Sequence, residues 1–176
     1  MARTVPVMAS ETPGNYQTSA LWNANVKALG DFTLGPPVFS GYQTTAQSIA
    51  NATFTSFTLD TEVVDSDGGH STVTNTSRYT ATVPGTYLVV GTAGWNGSAT
   101  GYRRCRITLN GGVVPGAAVG ADAANAVLCG QCVTAIVVMN GTTDYVEVQG
   151  AQSSGGALAA YNQDFAPSLR VYWLSR

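Results

Sequence analysis

The residues of this chain best suited to chemistry are few and scattered. Cys129-Gly-Gln-Cys132 has the spacing of a redox pair or of half a zinc site, and Cys105 is the third cysteine. A redox pair should open a helix after a strand, yet residues 133–139 read as a strand directly after the second cysteine. A structural zinc site needs four ligands, and the sequence holds one histidine, His70, and no second cysteine pair. Free buried thiols are the expectation, with one opportunistic disulfide as the alternative. His70 lies in a Gly-flanked acidic turn, where a Ser-His-Asp arrangement would have to recruit it through the fold alone. Asp60, Glu62, Asp65, Asp67, Asp122, Asp144, Glu147 and Asp164 could supply paired carboxylates, but no spacing selects two of them as acid and base. Asp65-Ser-Asp67-Gly-Gly puts two carboxylates in a tight loop, which makes Asp65 and Asp67 weak calcium candidates. The closing Glu of a twelve-residue calcium loop is absent, so a plain acidic hairpin is preferred. The Gly-rich stretch 91–101 lacks the Gly-Lys-Ser/Thr of a phosphate loop. No catalytic residue, resident metal or cofactor is expected, and the chain reads as non-enzymatic.

Two surface features remain. Arg103, Arg104 and Arg106 form a small basic cluster, read first as exposed strand arginines. With one lysine, Lys27, and a net charge of −2, no groove tracking phosphates and no nucleic-acid partner is expected. Trp95, Tyr102 and Tyr161 flank Gly/Ser/Asn-rich loops, and aromatic platforms beside amides suit sugar stacking. They are the candidate ligand contacts; filling the ends of a sandwich is the competing reading.

The elements that must position these residues are almost all strands. From residue 39 onward, short β runs are expected at 38–43, 54–63, 71–74, 78–83, 86–95, 102–109, 126–138, 144–152 and 168–174. Turn signals at Asp67-Gly68-Gly69, Pro84-Gly85, Asn110-Gly111 and Asn140-Gly141 separate them, a pattern of sandwiches and barrels. Residues 102–109 alternate, with Cys105, Ile107 and Leu109 on one parity and Arg104, Arg106 and Thr108 on the other. The runs 86–93, 133–139 and 169–174 are apolar on both parities, which predicts strands covered on both faces. Such strands in one sheet would set one face on the core and the other on a subunit contact, with Tyr87, Val89, Ile136, Val138, Val171 and Trp173 as its contact residues. Composition points the same way: 10% of the 176 residues are charged, well below the usual quarter. Burial by self-association compensates for so little charge.

Residues 1–40 differ. The stretch 18–30 carries a capping Thr/Ser, Trp22, Val26 and Leu29 at helical spacing, and a terminating Gly30. So short a helix is marginal alone and should dock on something. Leu34-Gly35-Pro36-Pro37 then forces an extended linker. The division expected is an anchoring arm at 1–40, gripping through Trp22, Val26 and Leu29, and a β domain at 41–176. No secretory leader and no membrane span is legible, so the product is expected to be made in the cytoplasm with no membrane insertion.

Val83-Pro-Gly-Thr-Tyr-Leu-Val89, then Arg103-x-Cys105-x-Ile107-x-Leu109-Asn-Gly111, resembles the complement C1q-like globular domain. Residues 142–149, Gln152-Ser-Ser-Gly-Gly-Ala-Leu158 and Ser168-Leu-Arg-Val-Tyr-Trp-Leu174 are similar to that family's later blocks. The resemblance implies an all-β, ten-stranded jelly-roll sandwich of the tumour-necrosis-factor type, assembled as a homotrimer with its inner sheets around the threefold axis. Ala20-Leu-Trp-Asn-Ala-Asn-Val26 with Pro36-Pro-Val-Phe39, and Asp60-Thr-Glu-Val63 with residues 67–75, resemble short minor tail proteins of actinobacterial tailed phages. That second resemblance implies a virion protein, made in the host cytoplasm: a trimeric knob held to other virion proteins through residues 1–40 and touching host-surface glycan. A capsid decoration or head protein at a threefold-compatible site, and a free bacterial C1q-like binding module, are the alternatives.

Overall fold

The densest β runs form the longest strands. In the computed structural model, which describes residues 3–8, 10, 12–14, 16, 18–123 and 126–176, the strands are β1 (Val38–Tyr42), β2 (Ser48–Ile49), β3 (Thr55–Ser56), β4 (Thr61–Asp65), β5 (Arg78–Thr80) and β6 (Gly85–Trp95). They continue as β7 (Tyr102–Leu109), β8 (Gly112–Asp122), β9 (Cys129–Met139), β10 (Tyr145–Gln152), β11 (Leu158–Ala159) and β12 (Ser168–Ser175). One sheet runs β4-β1-β12-β6-β9; the other runs β3-β10-β7-β8, with β5 also paired to β10. A ribbon of β2 and β11 closes one side. All the ladders are antiparallel, and the two sheets face each other as an all-β jelly-roll sandwich.

Between the layers, Phe39, Phe57, Tyr79, Tyr87, Trp95, Ile107, Val148 and Leu169 are fully buried. Apart from Phe57, which follows β3, these are the inward members of period-two strands, so burial drives both the pairing and its register. The β7–β8 turn shows its sequence logic directly. Asn110 and Gly111 both have positive φ, 52° and 77°, as the tight hairpin needs.

Several expected strands change form. The run 54–63 splits into β3 and the edge strand β4, and residues 71–74 are not a strand. Strand β8 has no alternating signature, because Pro115 and Gly116 interrupt it. It forms at the sheet edge, where a missing N–H costs little, and a register shift against β7 absorbs the irregularity. Strand β1 starts at Val38, so it straddles the 40/41 boundary read from composition.

The N-terminal helix is longer than its Gly30 suggests. It comprises α1 (Ser19–Leu21), a π turn (Trp22–Lys27) and α2 (Ala28–Leu34). Thr18 caps it, its hydroxyl accepting from Leu21 N at 3.2 Å. A Lys27–Asp31 ion pair spans Gly30, and docking of Phe32 extends the helix to Gly35-Pro36-Pro37, where proline ends it.

Candidate functional site

Strands β12, β6 and β9, the three that read as apolar on both parities, are neighbours in one sheet. Their inward residues include Tyr87, Val89, Val133, Val137 and Val171, all part of the core. This corrects the expected contact set. Tyr87, Val89 and Val171 are fully buried inside the single chain and cannot touch a second one. Tyr87 is further fixed by its hydroxyl, which donates to Val83 O at 2.5 Å. Trp173 is half-buried against the core, where its indole N–H donates to Pro84 O at 3.1 Å.

The outward parity carries the face instead. Cross-strand register lines up Tyr172, Leu88 and Ile136 in one row, and Arg170, Val90 and Thr134 in the next. Val138 stands opposite Thr86, and Leu174 lies at the end of β12. Ile136 is 65% exposed and Val138 is 70% exposed, while Tyr172 and Leu174 are also open to solvent. Sequence reasoning missed Leu88, Val90, Tyr172 and Leu174. A weak signal was available: Thr86 and Thr92 share parity with Leu88 and Val90, and Arg170 shares parity with Tyr172. A few polar residues on an otherwise apolar strand mark its outer side. Farther along the same face, a groove of about 430 Å³ lies between Tyr42, Cys132, Asp164, Phe165 and Arg170.

The helix adds a second apolar surface. Phe32 is buried and meets Trp173 edge-on at 4.9 Å, fixing α2 to the end of β12. Trp22, Val26 and Leu29 stay exposed, so the docking that stabilises the helix in this chain runs through Phe32. Arg3 clips the N-terminal segment back onto the domain. Its guanidinium pairs with the buried Asp67 at 2.7 Å, donates to Gly35 O and lies over the Phe32 ring.

That clip also decides the loop expected to be a weak calcium site. Asp67 is committed to Arg3, while Asp65 turns back on its own loop and accepts from the N–H groups of Gly69 and His70 at 3.1 and 2.8 Å. The two carboxylates serve separate partners and do not converge. Among the described residues no cluster of three metal-type ligands forms. His70 stacks on Phe39, with Nδ1 2.7 Å from Glu62 Oε1 and Nε2 3.0 Å from Thr76 O. Both ring nitrogens are engaged and the side chain is fully buried, so neither is placed to take a proton from a nucleophile.

The cysteine pair is separated by strand geometry. Cys129 points inward against the core and Cys132 outward to solvent, on opposite faces of β9. Three residues of extended chain span about 10 Å, beyond the roughly 7 Å Cα limit for a disulfide. All three thiols are free. Burial, with Cys132 as a smaller influence, pushes the Cys105 thiol up to about 12.

Of the three aromatic candidates, Trp95 is fully buried and donates to Gln131 Oε1 at 3.3 Å, so it fills the sandwich and cannot stack on a ligand. Tyr102 is half-buried beneath the Arg104 guanidinium at 4.2 Å, and Tyr161 packs toward Phe165 at 6.1 Å. The arginine cluster also divides. Arg103 is buried, its guanidinium donating to Ser98 O, Thr100 O and Tyr102 O, and burial lowers its pKa. Arg104 and Arg106 stay on the outer face of β7.

Comparison with known proteins finds this architecture elsewhere. The globular domain of zebrafish complement 1qA superposes over 80% of this chain and 98% of its own, at TM-score 0.58 and 16% identity. Murine APRIL covers 78% of this chain and 98% of its own, at TM-score 0.60 and 10% identity. The fold is the C1q/tumour-necrosis-factor jelly roll. The PRD1 vertex protein also matches, with TM-score 0.56 and 17% identity over 78% of this chain and 73% of that one. No family model and no curated protein matches the sequence. No helix among the described residues is long and apolar enough to cross a membrane.

Proposed function

We propose that this chain is a non-enzymatic structural protein of a tailed-phage virion, a homotrimeric knob mounted on the particle through its N-terminal segment at the tail. The observation that carries the reading is the apolar outer face of the β4-β1-β12-β6-β9 sheet, where Ile136, Val138, Tyr172 and Leu174 lie exposed in the single chain around a half-buried Leu88. A contiguous apolar patch of this kind marks an association surface. Three copies packed about a threefold axis cover it symmetrically. The helix face of Trp22, Val26 and Leu29 remains for a second, different neighbour and is the natural mount.

The mount is a displayed helix and not a loose tether, since Phe32 and Arg3 bind the N-terminal segment to the knob. A second reading places the trimer on the capsid, and the likeness to a vertex protein favours it. Light scattering of the purified chain tests the assembly: a trimer is expected, and a monomer at micromolar concentration overturns it. Copy number in purified particles then tests the placement. A handful of trimers supports the tail, hundreds support a capsid coat, and absence from the particle overturns both.

A further inference from the structure

The sheet opposite the apolar face carries a feature that assembly leaves unused. On the outer side of β7, Arg104 and Arg106 are two residues apart and point the same way, so their attachment points are about 7 Å apart. Each guanidinium carbon lies over an aromatic ring, Arg104 Cζ 4.2 Å from the centroid of Tyr102 and Arg106 Cζ 3.6 Å from that of Phe54. A cation–π contact at this range steadies a guanidinium and leaves N–H donors for a further partner. Among the described residues neither arginine forms an ion pair, whereas Arg3 and Arg78 do. Arg106 spends one donor, Nε, on Gln149 Oε1 at 2.9 Å.

The surroundings keep this pair open. Strand register sets Gly120 and Ala151 on either side of Arg104, and Ala118 beside Arg106. A Cβ at Gly120 would stand 3.3 Å from Arg104 Cγ, so the arginine stem rests on bare backbone. Asp122 lies opposite Tyr102 and places a negative charge at one end of the row. Partial desolvation lowers the pKa of Arg106, the condition under which a charge-assisted contact strengthens.

We infer that Arg104 and Arg106 form a two-point site for a linear phosphodiester-linked polyol chain, each guanidinium forking onto one of two successive phosphates. Extended, such a chain with one three-carbon unit between phosphates repeats at about the two-residue strand spacing. Single-stranded nucleic acid fits poorly, because the rings that would stack on its bases are covered by the arginines. For the source of the ligand the inference rests on the proposed tail mounting of the knob, which would bring this face to a host surface. The site faces away from the apolar sheet and remains open in a trimer built on that sheet.

The test is titration of the intact chain with poly(glycerol phosphate) at low and moderate salt, with light scattering on the same samples. Saturable binding is expected, about tenfold weaker in Arg104→Gln and in Arg106→Gln and lost in the double variant. Each substitution should also lower the slope of log affinity against log salt by about 0.7. The Arg104→Lys/Arg106→Lys chain keeps the charge but loses the fork and the stack, and about tenfold weaker binding is expected of it. Inorganic phosphate, offering one contact, should compete only weakly. Wild-type binding by the lysine chain, indifference to the glutamine variants, equal affinity for oligo-thymidylate, or no binding by the wild type each overturns the site. A trimer that fails to bind removes the site and leaves the assembly reading standing; a monomer that binds does the reverse.

Discussion

Replacing Val138 by aspartate separates folding from assembly. In the single chain Val138 is 70% exposed near the end of β9, so the substitution should change monomer stability by no more than about 0.5 kcal/mol. In a threefold assembly one substitution enters three times. Each copy loses the burial of a valine, worth about 1.5 kcal/mol, and acquires an unpaired buried charge at about 3 kcal/mol or more. Summed over the trimer this exceeds about 10 kcal/mol, enough to dissociate it at any practical concentration. Light scattering should report a monomer for Val138→Asp, and denaturant unfolding should show a cooperative transition whose midpoint no longer rises with protein concentration. Val113→Asp, at a 52% exposed position on the opposite sheet, should stay trimeric. A trimeric Val138→Asp chain, or one that fails to fold as a monomer, refutes the reasoning.

Two buried tyrosines should respond oppositely to loss of the hydroxyl. Tyr87→Phe strands the Val83 carbonyl and should cost about 1 kcal/mol in denaturant unfolding. Tyr79→Phe removes a buried hydroxyl with no protein partner among the described residues and should be neutral or stabilising in the same assay. Asp60 reads out acid stability. Burial acts to raise its pKa, but hydrogen bonds from Thr44 and Thr45 outweigh that and hold it at about 2, below the ordinary 3.8. A depressed folded-state value gives stability that is present above pH 3.8 and lost as pH falls toward 2; Asp60→Asn should flatten that limb of the unfolding curve. Alkylation followed by mass spectrometry should leave Cys105 unmodified until the chain unfolds, and should label Cys132 faster in Val138→Asp than in the assembled wild type.

The sheet architecture was legible because period-two burial is written locally. Cys105, Ile107 and Leu109 alternate against Arg104 and Arg106, and that strand forms over the same residues. Strand β8 was not legible, since Pro115 and Gly116 are tolerated only because the edge has a neighbour on one side. At the candidate contact face, strands apolar on both parities carry only the weak sign of Thr86, Thr92 and Arg170 to tell inside from outside. Tyr87 and Leu88 differ little as residue types, and only the position of the second sheet sends one into the core and the other outward. Trp95 failed as a surface aromatic for a similar reason: its loop is exposed, but its ring closes the sandwich against Phe57 at 5.8 Å.

By itself the sequence determined the fold class, the strand-rich order of elements and the turn at Asn110-Gly111. These follow from local steric and hydrophobic preferences that each short segment carries with it. The tertiary structure decided which side of β6, β9 and β12 meets solvent, which arginines are buried, and where Asp67 and His70 find partners. Those outcomes depend on residues distant in the chain. The Arg3–Asp67 pair, for instance, joins segments that only the folded sandwich brings together. The same holds for the apolar face proposed to act, which is assembled across strands that are not consecutive in sequence, and for the ring of Phe54, which only the fold brings under Arg106 of β7.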